Sequence, residues 1–211
     1  WKDVPGVLTA DPRRFESPQL LDRLSYSEAI EMTYYGAQVI HPKTLRPLQN
    51  KNIPLYVKSF VDTSGKGTVI ESVQHSDYPM MVVVKPKQLL LRMVSKDFYF
   101  VDEAKYAWLF DKISHHRIKV NMTQNTAMAF SVCLDHETDR MPALLKDLET
   151  VFHIEVLDQL QLVTLRHASD AAWAAAKKDG NGLLEERIGN TCQLVLPAEA
   201  SVALPGFVPR V

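Results

Sequence analysis

A few residues in this chain have types and spacings that could do chemistry. Asp102 and Glu103 open a stretch with helical apolar spacing. The first turn of such a helix presents unpaired N–H groups and a favourable dipole to a carboxylate or other anion. Lys119, Val120, Asn121 and Gln124 follow on an alternating stretch whose side chains and carbonyls can accept an ammonium. By residue type alone, Asp102 is a helix N-cap, and Asn121 and Gln124 are polar residues beside a turn. His115 and His116 are adjacent on a helix and so point in different directions. No carboxylate stands at ligand spacing, and the pair reads as a solvated helix end rather than a metal site. The two cysteines, Cys133 and Cys192, each lie in an apolar alternating run. They read as small buried hydrophobes that make no disulfide framework, which suits a reducing compartment.

These residues need elements to hold them. In residues 118–134, Ile118, Val120 and Met122 alternate with Lys119, Asn121 and Thr123, and Met128, Phe130, Val132 and Leu134 alternate with Ala127, Ala129, Ser131 and Cys133. The period of two predicts two half-buried strands, joined through Gln124, Asn125 and Thr126 into a β-hairpin. Before it, a helix is expected from Asp102 or Glu103 to about His115, with Ala104, Ala107, Trp108 and Phe110 or Ile113 on its apolar face. After it, a helix over 138–152 presents Met141, Leu144, Leu145, Leu148 and Val151. Strands at 88–95 and 153–157 complete the order β-α-β-β-α-β. This is a ferredoxin-like α+β unit, in which two helices cover one face of an antiparallel sheet.

A shorter unit follows. Residues 160–166 read as a strand and 169–178 as an alanine-rich helix, with a hairpin of 183–188 and 191–196 turned by Gly189-Asn190. This gives only β-α-β-β, so the unit is expected to complete its sheet with other strands, residues 80–84 being the candidate. Near the N-terminus, Pro5, Gly6 and Pro12 make the first 15 residues a loop with brief strand character. Ser25 followed by Glu28 predicts a capping box. Ala29, Ile30, Thr33 and Ala37 continue at helical spacing, Gly36 loosens the end and His41-Pro42 stops it. A helix over 44–51 and a buried strand over 53–57 suggest a piece of α/β architecture. Residues 71–87, with His75, Ser76, Asp77, Pro79 and Pro86, lack a clean period and mark a boundary. The expected division is 1–70, a linker 71–87 with a strand at 80–84, a unit 88–158, a shortened unit 159–197 and a tail 198–211.

The segments WKDVPGVLTADPR, LSYSEAIEMTYYGAQVIHPKTLRPLQNKNIPLYVKSF and GKGTVI, in this order, resemble the closing part of the catalytic domain of aspartokinase. That family has the amino-acid-kinase fold and phosphorylates the side-chain carboxylate of L-aspartate with ATP and Mg²⁺. The resemblance covers residues 1–70. It implies nucleotide contacts at Asp3 and Arg13, which match the family pattern, and at Gln38, where the family carries Lys. Lys2 and Leu8 depart as well, from a Thr and a Tyr. His41 falls in a family motif without a proton-transfer role and is expected to make a structural hydrogen bond. The β-α-β-β-α-β unit behind such a domain resembles the ACT domain, a regulatory module that binds free amino acids and works in pairs. The resemblance places effector contacts at Asp102, Glu103 and Ala104 and at Lys119, Val120 and Asn121, with Gln124 available to a hydroxyl. Lysine-sensitive members carry Asp at the Asn121 position, so lysine and threonine both stand as effectors. A homodimer through ACT units is implied.

The family's opening Lys-Phe-Gly-Gly-Thr segment and its aspartate-binding residues are absent, and the chain opens on Trp1. No glycine-rich phosphate loop is present. The chain is therefore read as a C-terminal piece with no catalytic residues of its own and no cofactor expected on it, inactive as a kinase by itself. Its 211 residues, 46% hydrophobic and 23% charged, can bury more than one core. A net charge of -1 with scattered Lys and Arg gives no basis for nucleic-acid or anionic-membrane partners, and no apolar run is long enough to span a bilayer. A cytoplasmic location is expected. RNA-recognition domains share the β-α-β-β-α-β order, but the hairpin offers only Phe130 for stacking. A free-standing amino-acid-sensing subunit, or a piece of a bifunctional aspartokinase–homoserine dehydrogenase, would carry the same residues.

Overall fold

The computed structural model describes residues 1–38, 40–73, 77–97, 101–202 and 204–210; His75 and Ser76 of the boundary stretch lie outside them. After β1 (Phe15–Glu16), strand β2 (Arg23–Ser25) runs into helix α1 (Tyr26–Tyr34), followed by α2 (Pro42–Asn50), β3 (Leu55–Val57) and β4 (Thr68–Glu71). β4 lies between a parallel β2 and an antiparallel β3. Leu24, Ala29, Met32, Leu45, Val57 and Ile70 form the core of this lobe, joined by Met81. Ser25 caps α1 by accepting from the Glu28 backbone N–H at 3.1 Å, whereas the Glu28 carboxylate does not return to complete the capping box. It turns to Arg166 instead, and the Ser25 N–H donates to the Tyr78 hydroxyl. His41 Nδ1 caps α2 by accepting from Lys43 N–H. The strand expected to be buried at 53–57 is buried only in part: Val57 is in the core, but Ile53, ahead of β3, and Tyr56 are 45% and 63% exposed, and among the described residues β3 pairs with β4 alone.

The strands expected at 80–84 and 88–95 are one 15-residue strand, β5 (Met81–Ser95). Helix α3 (Glu103–His115), strands β6 (Val120–Asn125) and β7 (Ala129–Asp135), and helix α4 (Met141–Leu148) follow. The strands expected at 153–157 and 160–166 likewise merge into β8 (Phe152–Arg166), followed by α5 (Asp170–Ala176), β9 (Leu184–Ile188) and β10 (Thr191–Pro197). These strands make a six-stranded antiparallel sheet in the order β6-β7-β5-β8-β10-β9. Met81–Val84 pair with Arg166–Val163, so the first part of β5 supplies the strand that the shortened unit lacks. A short strand β11 (Val208–Pro209) returns to pair with β1.

Two irregularities explain how long strands serve two units. Lys87 and Gln159 both have φ +55, and the β5–β8 register shifts between Lys85 and Leu90. Extra residues at bulges switch which side chains face which side. Below the bulge Val82 and Val84, with Val163 and Leu165, pack with α5; above it Leu89, Leu91 and Met93, with Phe152, pack with α3 and α4. The opposite side of the sheet holds Leu90, Met122, Cys133, Leu160, Leu162, Leu184 and Val195. Across this cluster, Gln124 Nε2 on β6 lies 3.4 Å from the Glu185 carbonyl on β9, and Arg92 Nη2 on β5 donates to the carbonyl of Leu183, just before β9, at 3.0 Å.

Helix α3 starts and ends as expected, capped by Asp102, which accepts from Lys105 N–H at 2.9 Å. Its buried face differs. Leu109 and Ile113 are buried with Tyr106 and Trp108 packed beside them, while Ala104, Ala107 and Phe110 are exposed, so of the expected stripe only Trp108 and Ile113 reach the core.

Candidate functional site

A cleft of about 750 Å³ lies between the N-terminal lobe and the sheet. Lys2, Asp3, Leu8 and Arg13 line it with Gly36–Gln38, so the residues carried over for nucleotide contact are brought together. Facing them are Val82–Lys87 from the bulged middle of β5 and Asp135–Glu137 from the end of β7. The two walls are joined where Val82 N–H donates to the Thr9 carbonyl at 2.7 Å. Arg13 is clamped to Asp11 through Nε and Nη2 at 3.0 and 2.8 Å, and its guanidinium holds the Asp11 carboxyl below the usual range. Lys2 Nζ donates to the Gln38 carbonyl at 2.6 Å. Cations and backbone on one wall of a cleft this size can receive an anionic ligand of nucleotide dimensions.

The β5 wall carries a polar network that sequence reasoning missed. Lys85 Nζ lies 2.5 Å from Asp135 Oδ1 and donates to Asn121 Oδ1 at 2.9 Å. Asn121 Nδ2 donates to Asp135 Oδ1 and to Gln88 Oε1, both at 2.7 Å, and Gln88 Nε2 donates to Asp135 Oδ1 at 3.0 Å. Burial alone would raise the Asp135 pKa. The hydrogen bonds from Lys85, Gln88 and Asn121 outweigh it and hold the carboxyl below its ordinary range. Burial pushes the neighbouring Cys133 thiol up to about 12, as an unreactive core residue. By residue type Pro86 and Lys87 read as linker because Pro breaks a strand ladder; Pro is tolerated at a bulge, and the polar Gln88 at the head of an apolar run is the signal for one.

The residues carried over for effector contact do not meet within one chain. Val101 N–H donates to the Ala127 carbonyl, placing the start of α3 beside the hairpin turn, whereas Ile118 N–H donates to Ile113, placing the start of β6 at the other end of the helix. Thirteen helical residues separate the two groups by about 20 Å. The sequence-based pairing of Asp102, Glu103 and Ala104 with Lys119, Val120 and Asn121 fails in one copy, because a helix antiparallel to the strand it precedes puts its start next to that strand's end. Gln124 is turned to the Glu185 carbonyl on the inner side of the sheet.

A second missed cluster joins α1 to the sheet. Glu28, 6% exposed, receives Arg166 in a bidentate pair, Nε to Oε1 at 3.0 Å and Nη2 to Oε2 at 2.8 Å. Arg166 also donates to Thr191 Oγ1 at 2.7 Å and lies 3.5 Å from Glu31. His167 Nε2 is 3.2 Å from Glu28 Oε2 without an aligned hydrogen bond, and its ring lies against Tyr78. Burial raises the Glu28 pKa, but Arg166 and His167 more than offset it and hold the carboxyl low. The partners are 138 residues apart, beyond any local pattern. His116, at the end of α3, is not simply solvated: its Nε2 lies 3.0 Å from Asp147 Oδ2.

Residues 1–59, which hold β1, β2, α1, α2 and β3, match the family model described as Amino acid kinase family. Over 88% of its length the chain is 28% identical to Lysine-sensitive aspartokinase 3 of Escherichia coli (strain K12), covering 43% of that protein. The solved structure of E. coli aspartokinase III in complex with aspartate and ADP superposes on 94% of this chain with a TM-score of 0.79 and 25% identity, covering 48% of that chain. The same enzyme in complex with lysine and aspartate gives 0.75 at 27% identity. Over most of its length the chain is similar to aspartokinases, and it spans less than half the length of these relatives. Among the described residues no helix is long and apolar enough to cross a membrane.

Proposed function

We propose that this chain is the regulatory end of an aspartokinase, joining the last part of the kinase domain to a pair of interleaved ACT units that bind an end-product amino acid. The observation that carries the reading is the cleft: Asp3, Arg13 and Gln38 converge on one wall, and the middle of the regulatory sheet forms the other. In this reading residues 1–70 contribute a nucleotide-facing surface for ATP with its Mg²⁺. The whole enzyme transfers the γ-phosphoryl group to the side-chain carboxylate of L-aspartate, and residues 88–158 and 159–197 are the two sensing units. The E. coli relative solved with lysine supports an amino-acid effector, and Asn121 in place of Asp leaves lysine and threonine as the candidates.

The separation of the effector residues within one chain has a solution in a homodimer. β6 is an outer strand of the sheet. An antiparallel β6–β6 contact about a two-fold axis lays the start of β6 in one copy beside the end of β6 in the other. Asp102–Ala104 at the start of α3 then face Lys119–Asn121 of the second copy. The α3 start offers N–H groups to the amino-acid carboxylate, and the strand offers carbonyls to its ammonium.

A thermal-shift screen against L-lysine, L-threonine and L-methionine tests the sensing role. A ligand that binds only the folded state raises Tm, and no shift with any of them would refute it. Light scattering is expected to show a dimer; a monomer at micromolar concentration counts against the shared site. A coupled assay with ATP and aspartate is expected to show no turnover from this chain alone.

A further inference from the structure

Lys119, carried over above to the amino-acid site, directs its ammonium at the kinase lobe. Helix α1 closes with Gly36 at φ +113, where Gly36 N–H donates to Thr33 and Ala37 N–H to Met32. This is the paired closure that glycine at the first residue past a helix end permits. Together with Tyr35 N–H to Glu31, these bonds use the carbonyls of residues 31, 32 and 33. The next carbonyl, Tyr34, receives Lys119 Nζ at 3.1 Å, and the same ammonium sits 5.1 Å from the Tyr34 ring centroid. A cation on the last carbonyls of a helix is favoured by the dipole. Lys85 supports the same turn from the side, since a Cβ on Gly36 would come within 3.2 Å of its Cγ. Directly after the turn, Ala37 and Gln38 enter the cleft wall, where Lys2 grips the Gln38 carbonyl. On its own side Lys119 is fixed to the hairpin, its carbonyl accepting from Asp135 N–H at 3.0 Å.

We propose that Lys119 is a positioning residue: it ties the start of β6 to the closing turn of α1 and so sets where Gly36–Gln38 stand in the cleft. This rests on the reading of the cleft as a nucleotide surface and of the start of β6 as part of the amino-acid site, and it gives those two places a physical connection. A ligand that shifts residues 119–121 shifts the ammonium, and the turn it holds moves with it. Coupling of this kind requires an element that both sites touch, and the α1 turn is that element.

The test compares the wild-type chain with Lys119→Met and Lys119→Arg in two measurements. The first is hydrogen–deuterium exchange of the Gly36 and Ala37 amides, and the second is calorimetric titration with ADP. Lys119→Met should raise exchange at these two amides roughly two- to five-fold and weaken ADP by a similar factor. Lys119→Arg, which keeps a cation in reach of the carbonyl and ring, should restore both. Exchange in Lys119→Met equal to wild type overturns the proposal, and so does a rise of equal size across all helices, which would mean general loosening. If wild type itself binds no ADP, the nucleotide reading falls, and the exchange comparison still decides the role of Lys119.

Discussion

Helix α1 is held to the six-stranded sheet at both ends, and the two holds are unlike. At its first turn Glu28 is sealed against Arg166 in a bidentate pair with both side chains largely buried. At its last turn Lys119 makes one hydrogen bond and one ring contact at a half-open edge. A buried charge left without its partner is costly, whereas a single exposed cation contact contributes under about 1 kcal/mol. The first hold fixes the lobe on the sheet, and the second can yield without unfolding anything. On the reading proposed above, the Glu28–Arg166 pair would act as a fulcrum and the Lys119 contact, the one beside the cleft, as the end that moves.

The sharpest way to break this contrast is Glu28→Ala, which leaves the largely buried Arg166 with only Glu31 at 3.5 Å and the Thr191 hydroxyl and should cost about 3 kcal/mol by denaturant unfolding. Adding Arg166→Met should recover part of the loss; a single variant within 1 kcal/mol of wild type would show that the first hold is no stronger than the second. Asn121→Asp comes next. It replaces the amide donor facing Gln88 Oε1 and Asp135 Oδ1, both at 2.7 Å, with another acceptor, and should destabilise by about 1–3 kcal/mol at neutral pH. If it instead leaves Tm unchanged while tightening lysine, Asn121 belongs to the ligand and not to the network. Acid acts on both regions. Glu28 and Asp135 are each held low in the folded state, so their contributions are complete above the unfolded carboxylate values and are lost as pH falls through the folded ones. Stability should hold from neutral pH down to about 5 and drop below about 4. The smallest effect is chemical: with its thiol pushed up to about 12, Cys133 should stay unlabelled by iodoacetamide at pH 8 in the folded chain. Labelling at the rate of a free thiol would show that the inner side of the sheet opens.

Local chemistry makes much of the fold readable in the sequence. Ser25 and Asp102 cap helices where their residue types say they should, and Gly189-Asn190 turns the last hairpin. The hairpin of 120–135 forms, but a bulge between Val120 and Met122 turns Met122 to the inner side of the sheet, and Gln124 and Asn125, expected in the turn, are the end of β6. The two long strands were split because the breaks at Lys87 and Gln159 use left-handed backbone without glycine, and Pro86 imitates a linker. The face of α3 was misjudged because Ala104, Ala107 and Phe110 are apolar yet exposed, so residue type named the wrong stripe. The site was legible only where resemblance reached. Asp3, Arg13 and Gln38 do share a cleft, but the Lys85–Asp135–Asn121 network and the Glu28–Arg166 pair join residues far apart in the chain. Asn121 took its meaning from a family comparison that concerned ligand; its geometry in this fold concerns Lys85 and Asp135.

The most direct test of the whole account is the ADP affinity of this chain, measured by calorimetry with and without saturating L-lysine or L-threonine. ADP is expected to bind, with an affinity that changes when one of the amino acids is present, and linkage requires that amino acid's own affinity to change by the same factor when ADP is added. An ADP affinity identical under all three conditions would contradict the claim that the sheet and the cleft form one regulated unit.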